Sequence, residues 1–580
     1  MQHTAIIRDA ATGKWLRFSR PRQILVAERT VDVLPALRRV EAAVDEEGLW
    51  AAGFLAYEAA PAFDRALRVR PAGPAPLLWF GLFDPPEEVS PPSTPQLREQ
   101  LSWSPALDRP AYDRAIARIR QLIADGDTYQ VNFTFPLRAP FRGEAEALFW
   151  HLALSAQAPY AAFLDTGPFA VCSASPELFF RLEGREMTCR PMKGTAPRGR
   201  TPTEDEQVRE RLLASAKDRA ENLMIVDMLR NDLGRVAATG SVVVPELFRA
   251  ERYPTVWQLT STVTARSDAS LCEIMAALFP CASITGAPKA RTMEIIAELE
   301  RFPRQAYTGT LGYFAPGRRA QFNVAIRTVL VDRAAKQAEF GVGGGVTWSS
   351  DSAGEYAECL VKARLLGGKP VDFELLETLL WDPAKGFFLL NEHMKRLADS
   401  ALYFGFPFDP GEASARLRKT AEALPPVPHK VRLRTERRGG LTIEHAPLEP
   451  AEKHPLRLAL AAEPVDPNEP LLYHKTTRRQ LYEAARTARP EEDEVLLWNT
   501  RGEVTEGCNF NLVVRYRGRL LTPPVDSGLL PGTYRGWLLR KGTLREETVT
   551  VEMLRECEQI WLINSVRKWR KAVLADEPVS

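Results

Sequence analysis

In PAYDRAIARIRQLIADG, apolar residues recur at Ile116, Ile119, Leu122 and Ile123. That spacing lines one helical face and predicts a helix over about 110–125, ended by Gly126. YQVNFTFPL then reads as a strand, PYAAFLD and FAVCSAS as two more, and FFRLEGREMTCR as a hairpin. One long helical stretch is predicted over about 204–234, followed by a strand rich in β-branched residues, PTVWQLTSTVTAR, at 254–266. Pro288 suits the first position of a helix reaching about 300. GVGGGV at 341–346 predicts a glycine-rich loop, and the next helix opens near Ser352 and closes at Gly367-Gly368.

The same pattern divides the chain. Residues 1–83 read as a small α/β unit, and the prolines at 85, 86, 91, 92, 95 and 105 predict an irregular connection over 84–107. Periodicity resets at GGKPVDFELLETLLWD, which places a boundary near 368–371. The expected regions are thus 1–107, 108–368 and 371–580, in a multidomain α+β / α/β chain.

Composition narrows the class. Of 580 residues, 45% are hydrophobic and 26% charged, an ordinary globular balance. A net charge of +2 gives no electrostatic case for nucleic acid or a membrane surface, and RKWRK at 567–571 reads as a short charged face. No apolar run reaches 18 residues, and the N-terminus shows no signal peptide, so neither membrane span nor secretion is expected. The seven cysteines include no CxxC pair, which argues against disulfides and structural zinc and for a cytoplasmic protein.

Four features in 108–368 could carry chemistry. Asp218 and Glu221, and separately Glu355 and Glu358, are spaced to share a helical face. Brought together, they would hold a hard cation such as Mg²⁺. Alone, each has an ordinary explanation: Ser352 with Glu355 is a capping box, and Glu358 can pair with Lys362. Lys193, in CRPMKGTAPRG, could act as a nucleophile only when neutral. At its reference pKa the neutral form is about 0.04% at pH 7, a penalty of roughly 4.6 kcal/mol. Finally, SITGAPKART (283–292) and GVGGG (341–345) offer backbone N–H groups to an anion, although neither is a P-loop or a G-x-G-x-x-G motif.

In order and wording these features resemble the chorismate-utilising family of anthranilate, aminodeoxychorismate, isochorismate and salicylate synthases. The matching stretches are SASPELF, RPMKGTAPRG, KDRAENLMIVDMLRNDLGRV, SITGAPKARTMEII, GYFAP with FNVAIRT, and GVGGGVTWSSDSAGEYAECLVKA. The resemblance implies antiparallel sheets flanked by helices around a Mg²⁺–chorismate pocket. It makes Glu221 and Glu358 the Mg²⁺ ligands, with Asp218 and Glu355 nearby or acting through water, and Glu177 the acid that protonates the departing C4 hydroxyl. Arg327 and Tyr313 would hold a substrate carboxylate, with backbone from Gly343, Gly344 and Gly345 and from Thr285, Gly286 and Ala287. Anthranilate synthases carry Ala where this chain has Lys193; the lysine points to amination at C4. Gln258 stands where relatives often have His, and it cannot shuttle a proton.

Residues 371–580 carry a second set: HMKRLADSALYFGF, YHKTTRRQLYEAAR, NTRGEVTEGCNFNLVV and LLTPPVDSGLLPGTYR. NTRGEVTEGCNFNLVVRYRGRLLTPP reads as strand, turn, strand, and GLLPGTYR as an anion nest ahead of a helix. The wording resembles the fold-type IV pyridoxal-phosphate (PLP) enzymes. The resemblance implies Lys475 as Schiff-base lysine and proton-transfer base, Glu506 facing the pyridine nitrogen, and Arg396 with Gly532 and Thr533 on the phosphate. It leaves lyase and aminotransferase open. The fusion favours a lyase that consumes the first half's product, giving 4-aminobenzoate for folate. The alternatives are a fused aminotransferase, or anthranilate synthesis in the first half. None of the cysteines sits in a G-x-C-x-G elbow, so ammonia is expected from a separate glutamine amidotransferase subunit or from free ammonium. A homodimer through the PLP half is compatible with this resemblance.

Overall fold

The computed structural model describes residues 3–92, 97, 101–367, 373–450 and 454–575. The expected boundary at 368–371 lies outside the described residues. The chain forms two compact units, one of residues 1–197 and 209–371, the other of 198–208 and 372–580.

In the first unit, segments on either side of residue 107 share the same two sheets. One sheet runs Gly286–Ala287, Gln130–Pro140, Gln337–Val346, Thr328–Asp332, Phe169–Ser173, Ala162–Asp165, Thr4–Arg8, Trp15–Ser19 and Glu87–Val89. The other runs Met192–Pro197, Val256–Arg266, Glu186–Arg190, Leu178–Glu183, Arg319–Val324, Thr310–Ala315, Trp50–Leu55, Leu78–Phe83 and Gln23–Ala27. Neighbouring strands in both are antiparallel. Ile7, Phe18, Leu164 and Val171 of the first sheet meet Phe54, Trp79, Phe83 and Leu311 of the second in one buried cluster. Helices cover the outer faces: Val33, Leu37 and Val40 pack with Phe80, Leu82 and Phe322, and Ile116, Ile119 and Phe149 with Phe133 and Phe340. Apolar residues on both faces of these strands are what such a layered arrangement requires.

Several expectations are corrected. The helical stretch 204–234 is two helices, Pro202–Ala214 and Ala216–Gly234. Ser215 separates them because its side chain caps the second helix, accepting from the Asp218 N–H at 3.2 Å. The proline-rich connection contains two short strands, Glu87–Val89 and Ser104–Pro105, each paired among the described residues on one side only, the position where proline's missing N–H costs least. GVGGGV is not a loop but the end of strand Gln337–Val346. Its glycines answer to crowding: a Cβ at Gly343 would lie 2.3 Å from the Phe133 carbonyl oxygen, and one at Gly341 2.2 Å from the Tyr307 ring.

In the second unit a four-stranded antiparallel sheet, including Leu375–Asp382 and His429–Thr435, packs with helices Leu390–Phe404 and Pro410–Glu422 through Leu379, Met394, Leu397, Leu417 and Val431. An eight-stranded mixed sheet holds Val504–Gly507 and Asn511–Tyr516. The segment read as strand, turn, strand makes three strands here, the third being Arg519–Thr522, with turns at Arg501-Gly502 and Arg517-Gly518. Residues 198–208 belong to this unit. Arg198 and Asp205 form a buried pair at 2.7 Å, and the Tyr403 hydroxyl donates to the Gly199 carbonyl at 2.7 Å.

Candidate active sites

Lys193 lies in strand Met192–Pro197, beside helix Ala216–Gly234. Gly194 takes φ +91°, and a Cβ there would lie 2.9 Å from the Asp218 Cβ, so only glycine lets the strand approach the helix. The Asn222 amide donates to the Lys193 carbonyl at 3.4 Å. Gln258 holds the same turn from the neighbouring strand: its Nε2 donates to the Gly194 carbonyl at 2.8 Å, and its Oε1 accepts from the Thr195 hydroxyl at 2.9 Å. This position therefore does structural work that needs no titrating group. The Lys193 ammonium reaches over the glycine strand, where a Cβ on Gly345 would stand 2.8 Å from Nζ. Burial lowers the Lys193 pKa, while Glu221 opposes the shift.

The two carboxylate pairs converge electrostatically. Burial raises the pKa of Glu221, and Asp218 and Glu355 add to the rise. Burial also raises Glu355, whose Oε1 accepts from the Ser350 hydroxyl at 2.5 Å. For Glu358 burial acts upward but Lys362, at 2.8 Å, outweighs it, and the carboxyl sits below its usual range. Lys362 also donates to the Gly343 carbonyl at 2.8 Å, and Lys217 stands 4.0 Å from Glu221. Among the described residues no three His, Cys, Asp or Glu side chains are grouped closely enough to ligate one ion. The donor set is nonetheless all carboxylate, the chemistry a hard divalent cation selects, and its like charges are now balanced by lysines a cation would replace.

Glu177 is 2% exposed. Burial pushes its carboxyl up to about 7, against the Ser283 hydroxyl, which donates to Oε1 at 2.6 Å, and the nearby Lys193. It is therefore about half protonated at neutral pH, a state from which a carboxyl can give or take a proton. Arg327 takes φ +52° and, among the described residues, makes no ion pair; burial lowers its pKa. Such a guanidinium suits a substrate carboxylate.

The structure does not bring Tyr313 to this group. Its hydroxyl faces Asp9 at 3.5 Å and its ring packs 5.7 Å from Trp50, because its strand pairs with Trp50–Leu55 in the core. The aromatic ring beside Arg327 is Tyr253, at 6.0 Å. Thr285, Gly286 and Ala287 turn backbone toward strand Gln130–Pro140: the Thr285 carbonyl accepts from the Asn132 N–H, and the Ala287 carbonyl from the Tyr129 N–H, each at 2.8 Å. Sequence reasoning missed Gln130. It is fully buried, both its amide atoms are without a hydrogen-bond partner among the described residues, and Nε2 stands 2.8 Å from where a Gly345 Cβ would be. A polar residue among the apolar positions of YQVNFTFPL was the available signal.

In the second unit burial, aided by Arg396, lowers Lys475 to about 8. Its carbonyl accepts from the Leu376 N–H at 3.0 Å. Glu506 is 4% exposed and burial raises it to about 8; Tyr482 donates to it at 3.0 Å and Asn511 at 3.2 Å. Gly532 precedes helix Thr533–Arg540, and a Cβ on it would collide with the Asn511 Oδ1 at 1.9 Å. Arg396 makes a two-point pair with Glu377. A lysine of lowered pKa, a buried carboxyl that keeps a proton, and an arginine beside a helix start together fit PLP.

A buried acid, a strand lysine and carboxylates on two helices beside the antiparallel sheets, joined to a unit with a second buried lysine, define a two-centre enzyme. The chain belongs to the chorismate binding enzyme family, whose model matches residues 3–367, and residues 374–574 match amino-transferase class IV. An aminodeoxychorismate synthase from Streptomyces griseus is 47% identical over 260 residues, 44% of this chain and 36% of that protein. An anthranilate synthase component 1 from Haloarcula marismortui is 41% identical over 285 residues, 49% of this chain and 57% of that protein. The chain thus spans roughly a third to three fifths of these relatives' lengths. The crystal structure of anthranilate synthase component I from Streptococcus pneumoniae TIGR4 shares the fold, with a TM-score of 0.53, 23% identity and coverage of 60% of this chain and 91% of that one. Among the described residues no helix is long and apolar enough to cross a membrane.

Proposed function

We propose that the chain makes 4-aminobenzoate in two steps: a transaminase-class synthesis of 4-amino-4-deoxychorismate from chorismate and ammonia, then elimination of pyruvate by an oxo-acid lyase. The observation that carries this reading is Lys193, half-buried over Gly345 and surrounded by Glu177, Glu221 and Glu358.

Arg327 holds a substrate carboxylate. The neutral Lys193 amine adds at C2, both ring double bonds shift (C1=C2 to C1=C6, C5=C6 to C4=C5), and the C4–O bond breaks, the hydroxyl leaving as water with the Glu177 proton. Ammonia then adds at C4 and Lys193 leaves C2. Burial supports the nucleophile by lowering the cost of its neutral form. Mg²⁺, held by Glu221 and Glu358 with Asp218 and Glu355 behind them, would supply charge neutralisation for a bound carboxylate. Ammonia comes from a separate glutamine amidotransferase subunit or from solution.

In the second site PLP, when bound, supplies an electron sink. Glu506 would keep a proton at the cofactor nitrogen, Arg396 with the Gly532 and Thr533 backbone would hold the phosphate, and Lys475 Nζ would serve as the proton-transfer base. At a pKa of about 8, about one Lys475 in ten is neutral at pH 7.

The test is mass-resolved product analysis with chorismate, ammonium, Mg²⁺ and PLP. 4-Aminobenzoate with pyruvate supports both steps. Anthranilate overturns the first. Aminodeoxychorismate that accumulates without 4-aminobenzoate overturns the second. Omitting Mg²⁺ and adding chelator should stop the first step alone.

A further inference from the structure

Glu377 lies on strand Leu375–Asp382 and is 1% exposed. Its two oxygens serve two different partners. The Arg396 guanidinium donates through Nε to Oε1 at 2.8 Å and through Nη2 to Oε2 at 2.7 Å. The His393 ring, fully buried, places Nδ1 2.6 Å from the same Oε2. Both partners reach on to one tripeptide. Arg396 Nη1 donates to the Pro531 carbonyl at 3.2 Å, and His393 Nε2 stands 3.2 Å from the Thr533 hydroxyl. Pro531, Gly532 and Thr533 open helix Thr533–Arg540.

We propose that Glu377 and His393 are positioning residues for a phosphate monoester: one buried carboxylate fixes Arg396 and, through the imidazole, Thr533, so that the 531–533 turn is pinned at both ends. The inference rests on the reading that Arg396 and Thr533 hold the cofactor phosphate. The proton bookkeeping is constrained. Burial acts upward on Glu377, but Arg396 and His393 outweigh it and hold the carboxyl at about 2, so it is ionised. Facing an ionised acceptor, His393 Nδ1 carries the proton and donates to it. Nε2 must then accept, and the Thr533 hydroxyl donates to it. The groups that act on His393 are Glu377, Arg396 and Lys475; burial, the largest influence, keeps the ring neutral. With its proton directed at Nε2, the Thr533 hydroxyl leaves the phosphate to the backbone N–H groups of Gly532 and Thr533, whose turn is held before any ligand arrives, which reduces the ordering cost of binding.

This arrangement makes a prediction opposite to simple electrostatics. Glu377→Gln removes a negative charge from beside the phosphate site, which by charge alone would tighten anion binding. If Glu377 acts by positioning, the substitution frees Arg396 and weakens binding. The experiment titrates PLP into the full-length chain, follows affinity by absorbance, and records the ³¹P resonance of the bound phosphate. Glu377→Gln should raise the dissociation constant about tenfold, the lower range for one charged hydrogen bond, and move the resonance. Unchanged or tighter binding overturns the proposal. Should that variant fail to fold, a double-mutant cycle carries the test. His393→Gln and Thr533→Ala should each weaken binding and the pair should be no worse than either, whereas additive losses overturn the relay. Arg396→Met separates the premises: if it leaves both PLP affinity and the resonance unchanged, the phosphate assignment itself fails.

Discussion

Ser283→Ala tests the acid in the first site. In the folded chain Glu177 sits at about 7 because burial disfavours its charge, and the Ser283 hydroxyl, donating at 2.6 Å, restrains that rise. A hydrogen bond to a charged group is worth about 1.5–3 kcal/mol, and one to the neutral acid about 1 kcal/mol. The differential, about 0.5–2 kcal/mol, centres on about one pKa unit. Removing the hydroxyl should therefore carry Glu177 from about 7 to about 8. The sign follows from the proposed role: an acid works protonated, so activity should fall as pH rises through its pKa, and the variant should keep its activity to higher pH. The assay is kcat/KM for chorismate consumption with saturating ammonium between pH 6 and 9.5. A basic limb moved up by about one unit, at any absolute rate, supports the assignment. A limb that stays in place or moves down refutes the claim that Glu177 is the acid and Ser283 its restraint.

Lys193→Ala should stop amination at C4 while Glu177 and Arg327 remain in place; unchanged turnover in the product assay would remove its nucleophilic role. Lys475→Ala should abolish the visible absorbance of lysine-bound PLP and let aminodeoxychorismate accumulate, as followed by absorbance and mass analysis. Gly343→Ala drives a methyl to within 2.3 Å of the Phe133 carbonyl oxygen, and should cost about 1–3 kcal/mol in a denaturant melt with a matching fall in midpoint.

The elements with strong periodicity were legible in the sequence. The helix expected at 110–125 is Arg109–Ala124, and the β-branched run at 254–266 is Val256–Arg266. Glycine misled at 341–346, because the signal that marks loops also marks strands whose neighbours fill the space of a side chain. Among the candidate residues, Lys193, Glu177, Glu221 and Glu358 were readable from motif wording, and the three carboxyls all act electrostatically on Lys193. Tyr313 was misplaced because strand phase, which wording does not reveal, decides which face a tyrosine takes. Gln130, Ser283, Glu377 and His393 come to notice only through neighbours distant in sequence, such as Glu177, 106 residues from Ser283.

The membership of residues 198–208 in the second unit has a consequence for synthesis of the chain. Those residues leave the ribosome well before residue 372, yet the packing they complete, with Tyr403 on Gly199, needs partners made later. Closing so long a loop is entropically slow. Until then the Arg198 guanidinium lacks the Tyr403 carbonyl to which it donates at 3.0 Å, and the second unit includes a segment made far upstream of the rest of it. Chains truncated before residue 372 should carry this segment without its docking site and be prone to chaperone capture, a liability built into the fusion rather than into either half.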